Sequence, residues 1–460
     1  MKVTLLGHAS VLVEMDGATC LMDPVFSDPF EDGAVASCPK REVAADKLPR
    51  LDLIAISHQH LDHFDIPTLA QLPRNCDVLC PKDKAIVYVL DKLGFNKVRP
   101  TASGVNIKFP RFELFTTQSS VTNVTEFGVV FKDRSGVFWN QVDTVLMPST
   151  IRATVTAAGR TDLLFAMYAS QNFGFFENKS GGFPDASHAM NLTNIASINP
   201  RLVVPGSAGF RFVSPFEWCN SFLFPVSRED FLRDLASVAP DIASTVANPG
   251  DMFNISPTAV ERFPNAAAFA RTVDDDTHLL HYDATAPVPA LADPNPDGYE
   301  IDRIASVTRD CFAGFSIFVR RSYAEADSVV EEFRRHRTSY GLGVVFPDST
   351  ERWLRVQFND DSPTIEEGVE TLPPTGTVHR IAASALCAWV SRQKSYFYFR
   401  GFSRRSSTFH TVERTPSGVS VQAKDLPDLL THYLLRKAPG AEVALKQRLD
   451  FQLAPYLKHR

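Results

Sequence analysis

Leu51 to Asp65 reads LDLIAISHQHLDHFD, and its interpretation decides the fold. The apolar half, LDLIAI, suits a strand buried on both faces. The polar half then puts three histidines and two aspartates into ten residues, Ile56 to Asp65. Core strands exclude such residues, and surface charge runs are usually Lys and Glu. The chain has only 12 histidines, yet His58, His60 and His63 fall within six positions. His58 and His60, two apart, share one face of an extended chain. Asp62 and His63 follow in the turn and reach a second position. Neutral imidazoles with carboxylates suit zinc, iron or manganese. The pattern H-x-H-x-D-H at a strand end therefore predicts a metal site rather than a solvated loop.

Upstream, KVTLLG, SVLVEM and ATCLMD are short strand-like runs separated by turn residues. Downstream, DIPTLAQL and KDKAIVYVLDKLG read as helices, the second ending at Gly94. CDVLCP, GVNIKF, FELFTT, FGVVFKD, GVFWNQ, DLLFAMYAS and RLVVPG read as strands, and AMNLTNIASI as a helix. SREDFLRDLASV reads as a helix capped by Ser227. Beyond a proline-rich run, ATAPVPALADPNPDG, the chain becomes α+β. There SYAEADSVVEEFRRHRTS reads as an amphipathic helix and SYFYFRG as a strand. The expected organisation is an α/β domain over residues 1–260, a connecting segment over 261–310 and an accessory α+β domain over 311–460.

Bulk composition narrows the function. The chain is 44% apolar and 22% charged, ordinary for a globular protein. A net charge of −6 argues against nucleic-acid binding by bulk positive charge. The seven cysteines form no C-x-x-C pair and no C-x-H. That excludes a disulfide framework, a zinc ribbon and a built-in Rieske cluster, and predicts buried thiols in a reducing cytoplasm. The first apolar run is short and broken by His8 and Glu14, so no signal peptide is expected. No apolar stretch is long enough to span a membrane. Composition and spacing leave the oligomeric state undetermined.

The H-x-H-x-D-H string, together with LLGHASVLVEMDGATCLMDP (Leu5 to Pro24), resembles the metallo-β-lactamase superfamily. The nearest branch is the one containing N-acylphosphatidylethanolamine phospholipase D and ascorbate-phosphate lactonases. The resemblance implies an αββα sandwich with a one- or two-metal site. Three further ligands follow the motif in that family's hydrolases. Asp143, in NQVDT, matches one of them. Gln118 or Ser119, in TTQSSVTN, stands where a histidine is expected, and Ser207, in VPGSAGF, stands where the last histidine is expected. A second resemblance, over about residues 1–260, is to the CMP-N-acetylneuraminate hydroxylase family. VFWNQVDT, INPRLVVPGSAGFRF, LFPVS and NPGD carry it, in that order. That family hydroxylates a nucleotide sugar with electrons from a Rieske domain. This chain has no C-x-H…C-x-x-H, so electrons are expected from a separate protein, such as a ferredoxin or Rieske protein, or from the substrate itself.

These resemblances imply one ion held by His58, His60 and Asp143, and a second by Asp62, His63 and Asp143. Two imidazoles with one carboxylate form the facial set of non-haem iron oxygenases. The expected function is an iron oxygenase or oxidase, with one or two ions, acting on a small polar molecule. The alternatives are a zinc or manganese hydrolase of a phosphodiester, lactone or amide, and a binding protein with a degenerate site. Asp62 is a candidate ligand or proton acceptor, and His188 a candidate replacement ligand or substrate contact. His8 is expected beside the metal floor, supporting a ligand. Gln118, Asn140 and Gln141 are candidates to orient ligands or substrate. Phe173, Phe175, Phe176 and Phe183 are candidate pocket walls, with Ser207 and Arg211 as further substrate contacts; Arg211 would take an anion.

Overall fold

The computed structural model describes residues 1–171, 183–325, 328–368, 376–391, 393–394, 396–423, 426–435 and 441–457. The chain divides into two compact units, and the division between residues 286 and 287 falls inside the proline-rich run.

The first unit is built on two sheets. One has eight strands, in the order Val260–Phe263, Met252–Ile255, Lys2–Gly7, Ser10–Met15, Ala18–Met22, Leu53–Ala55, Asp77–Pro81 and Val98–Thr101. Its N-terminal strands form the antiparallel meander, and Ala18–Met22 onward run parallel. The other sheet has seven strands: Ala243–Ser244, Leu202–Gly206, Leu163–Met167, Gly136–Asn140, Phe127–Asp133, Phe112–Gln118 and Asn106–Lys108.

Period-two alternation sends Val3, Leu5, Val11, Val13, Cys20, Met22, Leu53 and Ala55 into one core with Leu114, Val129, Phe131, Phe138, Leu163 and Phe165 of the facing sheet. Phe131 stacks on Phe138, and Phe165 meets Phe138 and Phe253 edge-on. The opposite faces are covered too: Leu12, Leu21, Ile54 and Val78 are fully buried. Helix Lys84–Leu93 packs on strands Asp77–Pro81 and Val98–Thr101. Helices Pro148–Ala158, Asp185–Ile198 and Arg228–Val238 pack on one another, and the last also on Leu202–Gly206. This is the predicted αββα sandwich. Gly94 closes its helix at φ +81°, and the Ser227 hydroxyl accepts from the Asp230 N–H, both as the sequence suggested.

The second unit is α+β. A five-stranded sheet runs Thr364–Glu367, Glu351–Gln357, Ser339–Val345, Gly376–Ala382 and Ser403–Ser407. The long helix here is Ile301–Ser322, not the predicted stretch after it, in which the described residues hold the short helix Glu331–Arg335. Ile304, Thr308, Cys311, Phe312, Phe315 and Val319 form the buried stripe of that long helix. Interspersed Arg and Asp residues hid the stripe from a reading of apolar runs. SYFYFRG is likewise corrected: Tyr396–Gly401 is helical. Its aromatic residues favour a strand in isolation. Helical spacing instead sets Tyr398 edge-on to Phe402 and Phe399 against Trp389. All seven cysteines are buried, and among the described residues no helix is long and apolar enough to cross a membrane.

Candidate metal centre

The motif sits where strand Leu53–Ala55 ends, beside the end of its parallel neighbour Ala18–Met22. Carboxyl ends of parallel strands leave an open crevice for a ligand. Asp23 occupies the first residue past the neighbouring strand and is fully buried. Its Oδ1 accepts from the Ser57 N–H at 2.7 Å, and its Oδ2 accepts from the Ser57 hydroxyl at 2.7 Å. Oδ2 also lies 2.9 Å from His63 Nδ1.

Because the Ser57 hydroxyl donates to Asp23, it accepts from His58 Nδ1, 2.9 Å away. Both Nδ1 atoms are thus committed as donors. The lone pairs of His58 Nε2 and His63 Nε2 are left facing the crevice. The motif's last aspartate plays a different part: Asp65 caps helix Ile66–Leu69 through the Thr68 N–H and accepts from the Ser27 hydroxyl.

Asp143 arrives from the facing sheet, three residues past Gly136–Asn140. Val142, at φ +48°, turns the chain. Gln141 fixes that turn: its side-chain amide donates to the Thr144 carbonyl at 2.9 Å and its Oε1 accepts from the Met167 N–H at 3.2 Å. Asp143 Oδ2 then lies 3.4 Å from His63 Nε2 and 3.9 Å from His58 Nε2. The carboxylate eighty residues downstream therefore stands beside both imidazoles.

Two groups of potential ligand atoms result, each with all atoms within 4.8 Å of one another: His58, His60 and Asp143, and His8, Asp62 and His63. His58 Nε2 and His60 Nδ1 approach to 2.9 Å, within hydrogen-bond distance, so both nitrogens turn toward the same point.

The electrostatics fit a cation. Burial and the nearby His63 charge push His58 well below its ordinary range, which keeps it a neutral donor. Burial alone would lower His63 too, but Asp143 and Asp62 outweigh it and hold His63 well above its ordinary range. Burial raises Asp62 and Asp143, and His63 outweighs this and leaves both below the usual carboxylate range. With Asp23, three carboxylates thus crowd around the His63 imidazole. His63 Nε2 and both nitrogens of His8 are buried without a well-aligned hydrogen bond. A metal ion would satisfy these atoms and the excess negative charge together.

The other expected residues disperse. Asn140 is buried with its amide toward Met22 Sδ, and Gln118 is exposed at the end of its strand. His188, on helix Asp185–Ile198, is held by Asp234 at 2.8 Å and packs on Phe183 and Phe231, joining neither group. Arg211 is taken by Asp276 at 2.6 Å, an intramolecular partner where an external anion was expected. Ser207, at φ +59°, lines a small cavity with His8. Phe173, Phe175 and Phe176 lie outside the described residues, and Phe183 is exposed.

Glu126 was not foreseen. It immediately precedes strand Phe127–Asp133, which runs antiparallel to Phe112–Gln118, is only 8% exposed, and its Oε1 has no hydrogen-bond partner. Burial, with Asp143 adding to it, pushes its carboxyl up to about 7. The folded chain therefore holds this proton where the unfolded chain, with a value near 4.5, has lost it. The associated stability is complete below pH ~4.5 and is lost as pH rises through ~7. In metal-free protein, the melting temperature of wild type relative to Glu126→Gln should fall across that interval. A difference that stays constant with pH in thermal melts would refute the assignment.

Fold and centre together define a metallo-β-lactamase-fold domain. Residues 2–158 match the beta-lactamase superfamily domain, a family of metal-dependent enzymes. Among relatives, a "UPF0173 metal-dependent hydrolase" of Caldivirga maquilingensis is 27% identical over 54% of this chain and 96% of its own length. The N-acyl-phosphatidylethanolamine-hydrolyzing phospholipase D 1 of Caenorhabditis elegans is 37% identical over 15% of this chain, and the chain spans only 20% of that protein. Among solved structures, CmlA, a diiron β-hydroxylase from Streptomyces venezuelae, aligns with a TM-score of 0.35 at 17% identity, covering 45% of each chain.

Proposed function

We propose that the first unit is the catalytic domain of an iron-dependent oxygenase or oxidase acting on a small polar molecule. The observation that carries this reading is the donor set. His58, His60 and Asp143 offer two imidazoles and one carboxylate, while by the resemblance Gln118 or Ser119, and Ser207, occupy the sequence positions where that family's hydrolases carry two more histidines. Such a ligand-poor set leaves positions open for O2 and substrate. Iron held there would bind O2 and pass it electrons taken from an external donor.

The chain's own residues do the rest. Asp23 and Ser57 fix which ring nitrogen of His58 and His63 faces inward. Gln141 fixes the turn that presents Asp143. Glu126 keeps a buried proton up to about pH 7 at a point where it feels the Asp143 charge. Electrons would come from a separate ferredoxin or Rieske protein, because the sequence has no C-x-H…C-x-x-H.

A second reading, a zinc or manganese hydrolase, is favoured by the similarity to the C. maquilingensis protein along half of this chain. Zinc would then supply Lewis acidity toward a phosphodiester, lactone or amide.

Metal analysis separates the two. Protein from iron- and zinc-supplemented cultures should carry iron, show near-ultraviolet charge-transfer absorption, and consume O2 with a reduced ferredoxin. Colourless protein with stoichiometric zinc and phosphodiesterase activity would overturn the oxygenase in favour of the hydrolase. Protein that takes up neither metal would be a binding protein with a degenerate site.

A further inference from the structure

We propose that His8 is a metal ligand of the Asp62–His63 position and takes over the role of the imidazole missing at Ser207. The inference rests on the reading of this site as a metal centre.

His8 lies in the turn between strands Lys2–Gly7 and Ser10–Met15. It adopts φ +48°, a left-handed conformation that non-glycine residues adopt infrequently, with asparagine, aspartate and histidine the most tolerant of it. The turn follows Gly7, itself at φ +121°, and throws the ring into the crevice instead of along the strand. Only 6% of the residue is exposed. Nε2 lies 3.2 Å from Asp62 Oδ2, and the ring stands edge-on to His63 with centroids 5.1 Å apart. His8, Asp62 and His63 each present one ligand atom, all within 4.8 Å of one another. A histidine kept only for packing would find a partner for at least one ring nitrogen. Here Nδ1 has none and Nε2 has only the Asp62 carboxylate, a co-member of the same group, although Phe30 and Phe210 clamp the ring on its other sides.

The loop that lost its imidazole is the one pressed against His8. A Cβ placed on Gly209 would lie 2.9 Å from both the Cα and the N of His8, so only glycine lets the two main chains approach this closely. Ser207, two residues earlier, lines with His8 a small cavity of about 30 Å3. The first turn of the fold thus fills, from the other side, the place that the 207 loop vacates. Each metal position then has two imidazoles and one carboxylate of its own: His58, His60 and Asp143, and His8, His63 and Asp62. Asp143 Oδ2, 3.4 Å from His63 Nε2, remains available to both.

The test is metal stoichiometry, read independently of any activity. Full-length wild type and His8→Asn are loaded with zinc, or with ferrous iron under argon, dialysed against a weak chelator and analysed for bound metal. Asparagine tolerates the left-handed backbone, so the turn is preserved. Wild type should retain two ions and His8→Asn one, with the second ion bound about 100-fold more weakly. Ser207→Ala should retain two. Two ions in His8→Asn at wild-type affinity would overturn His8 as a ligand while leaving the metal centre standing. A wild type that binds no metal would overturn the centre itself, and a wild type that binds a single ion would remove the second position. If His8→Asn fails to fold, cadmium-113 loading of wild type decides. Scalar coupling from cadmium should reach four imidazoles, and coupling to only His58, His60 and His63 would refute the proposal.

Discussion

Asp143→Ala should release both ions, whereas His60→Ala should release one. The difference follows from where Asp143 Oδ2 stands, 3.4 Å from His63 Nε2 on one side and 3.9 Å from His58 Nε2 on the other. Four-ligand structural zinc sites bind with about 10–16 kcal/mol, so one ligand is worth roughly 3 kcal/mol, or about 100-fold in affinity. A carboxylate that serves two cations forfeits this at both positions and also the charge that offsets their mutual repulsion. His60, by contrast, groups only with His58 and Asp143. The fold should not suffer: the turn carrying Asp143 is held by Gln141 and Thr144, not by the carboxylate. Metal content after dialysis against graded chelator, with melting curves alongside, measures both effects. Retention of both ions by Asp143→Ala would place the carboxylate outside the centre and remove the basis for a shared site.

What the sequence made legible was whatever had a local period or a compact motif. Strands such as Ser10–Met15 alternate visibly, and H-x-H-x-D-H compresses four ligand candidates into six positions. Asp143 was legible only through the resemblance carried by VFWNQVDT, since nothing local distinguishes it from any aspartate in a turn. Three kinds of feature escaped. Asp23 meets Ser57 and His63 across 34 and 40 positions, and Glu126 is buried by the fold rather than by its neighbours in sequence. Helix Ile301–Ser322 has its stripe diluted by charged residues, and the aromatic spacing of Tyr396–Gly401 fits either period. Arg211 and His188 failed as free site groups for a single reason. Asp276 and Asp234, on other elements, reach them first, and a long-range ion pair leaves no signature in the spacing of either partner.

Asp23 carries the largest stability consequence at the centre. It is fully buried and serves three donors: the Ser57 N–H, the Ser57 hydroxyl and His63 Nδ1. Asp23→Ala strands all three in the interior. Each unsatisfied buried group costs about 1–3 kcal/mol, and removing one partner of a buried ionic pair about 3–5 kcal/mol, so a loss of ~4 kcal/mol is expected. Asp23→Asn separates support of the fold from tuning of the metal. The amide oxygen still accepts from the Ser57 N–H, and the side-chain volume is unchanged. The NH2 group, however, now faces His63 Nδ1 and can only donate. His63 must then accept at Nδ1 and carry its proton on Nε2, the atom that faces the crevice, where it blocks a metal bond. Asp23→Asn should therefore melt within a few degrees of wild type yet bind metal about 10- to 100-fold more weakly. Asp23→Ala should lose stability and metal together. Denaturant unfolding of the metal-free variants and chelator competition on the same samples test both halves. If Asp23→Asn bound metal as tightly as wild type, His63 would not be oriented by this carboxylate, and the inward-facing Nε2 would need another cause.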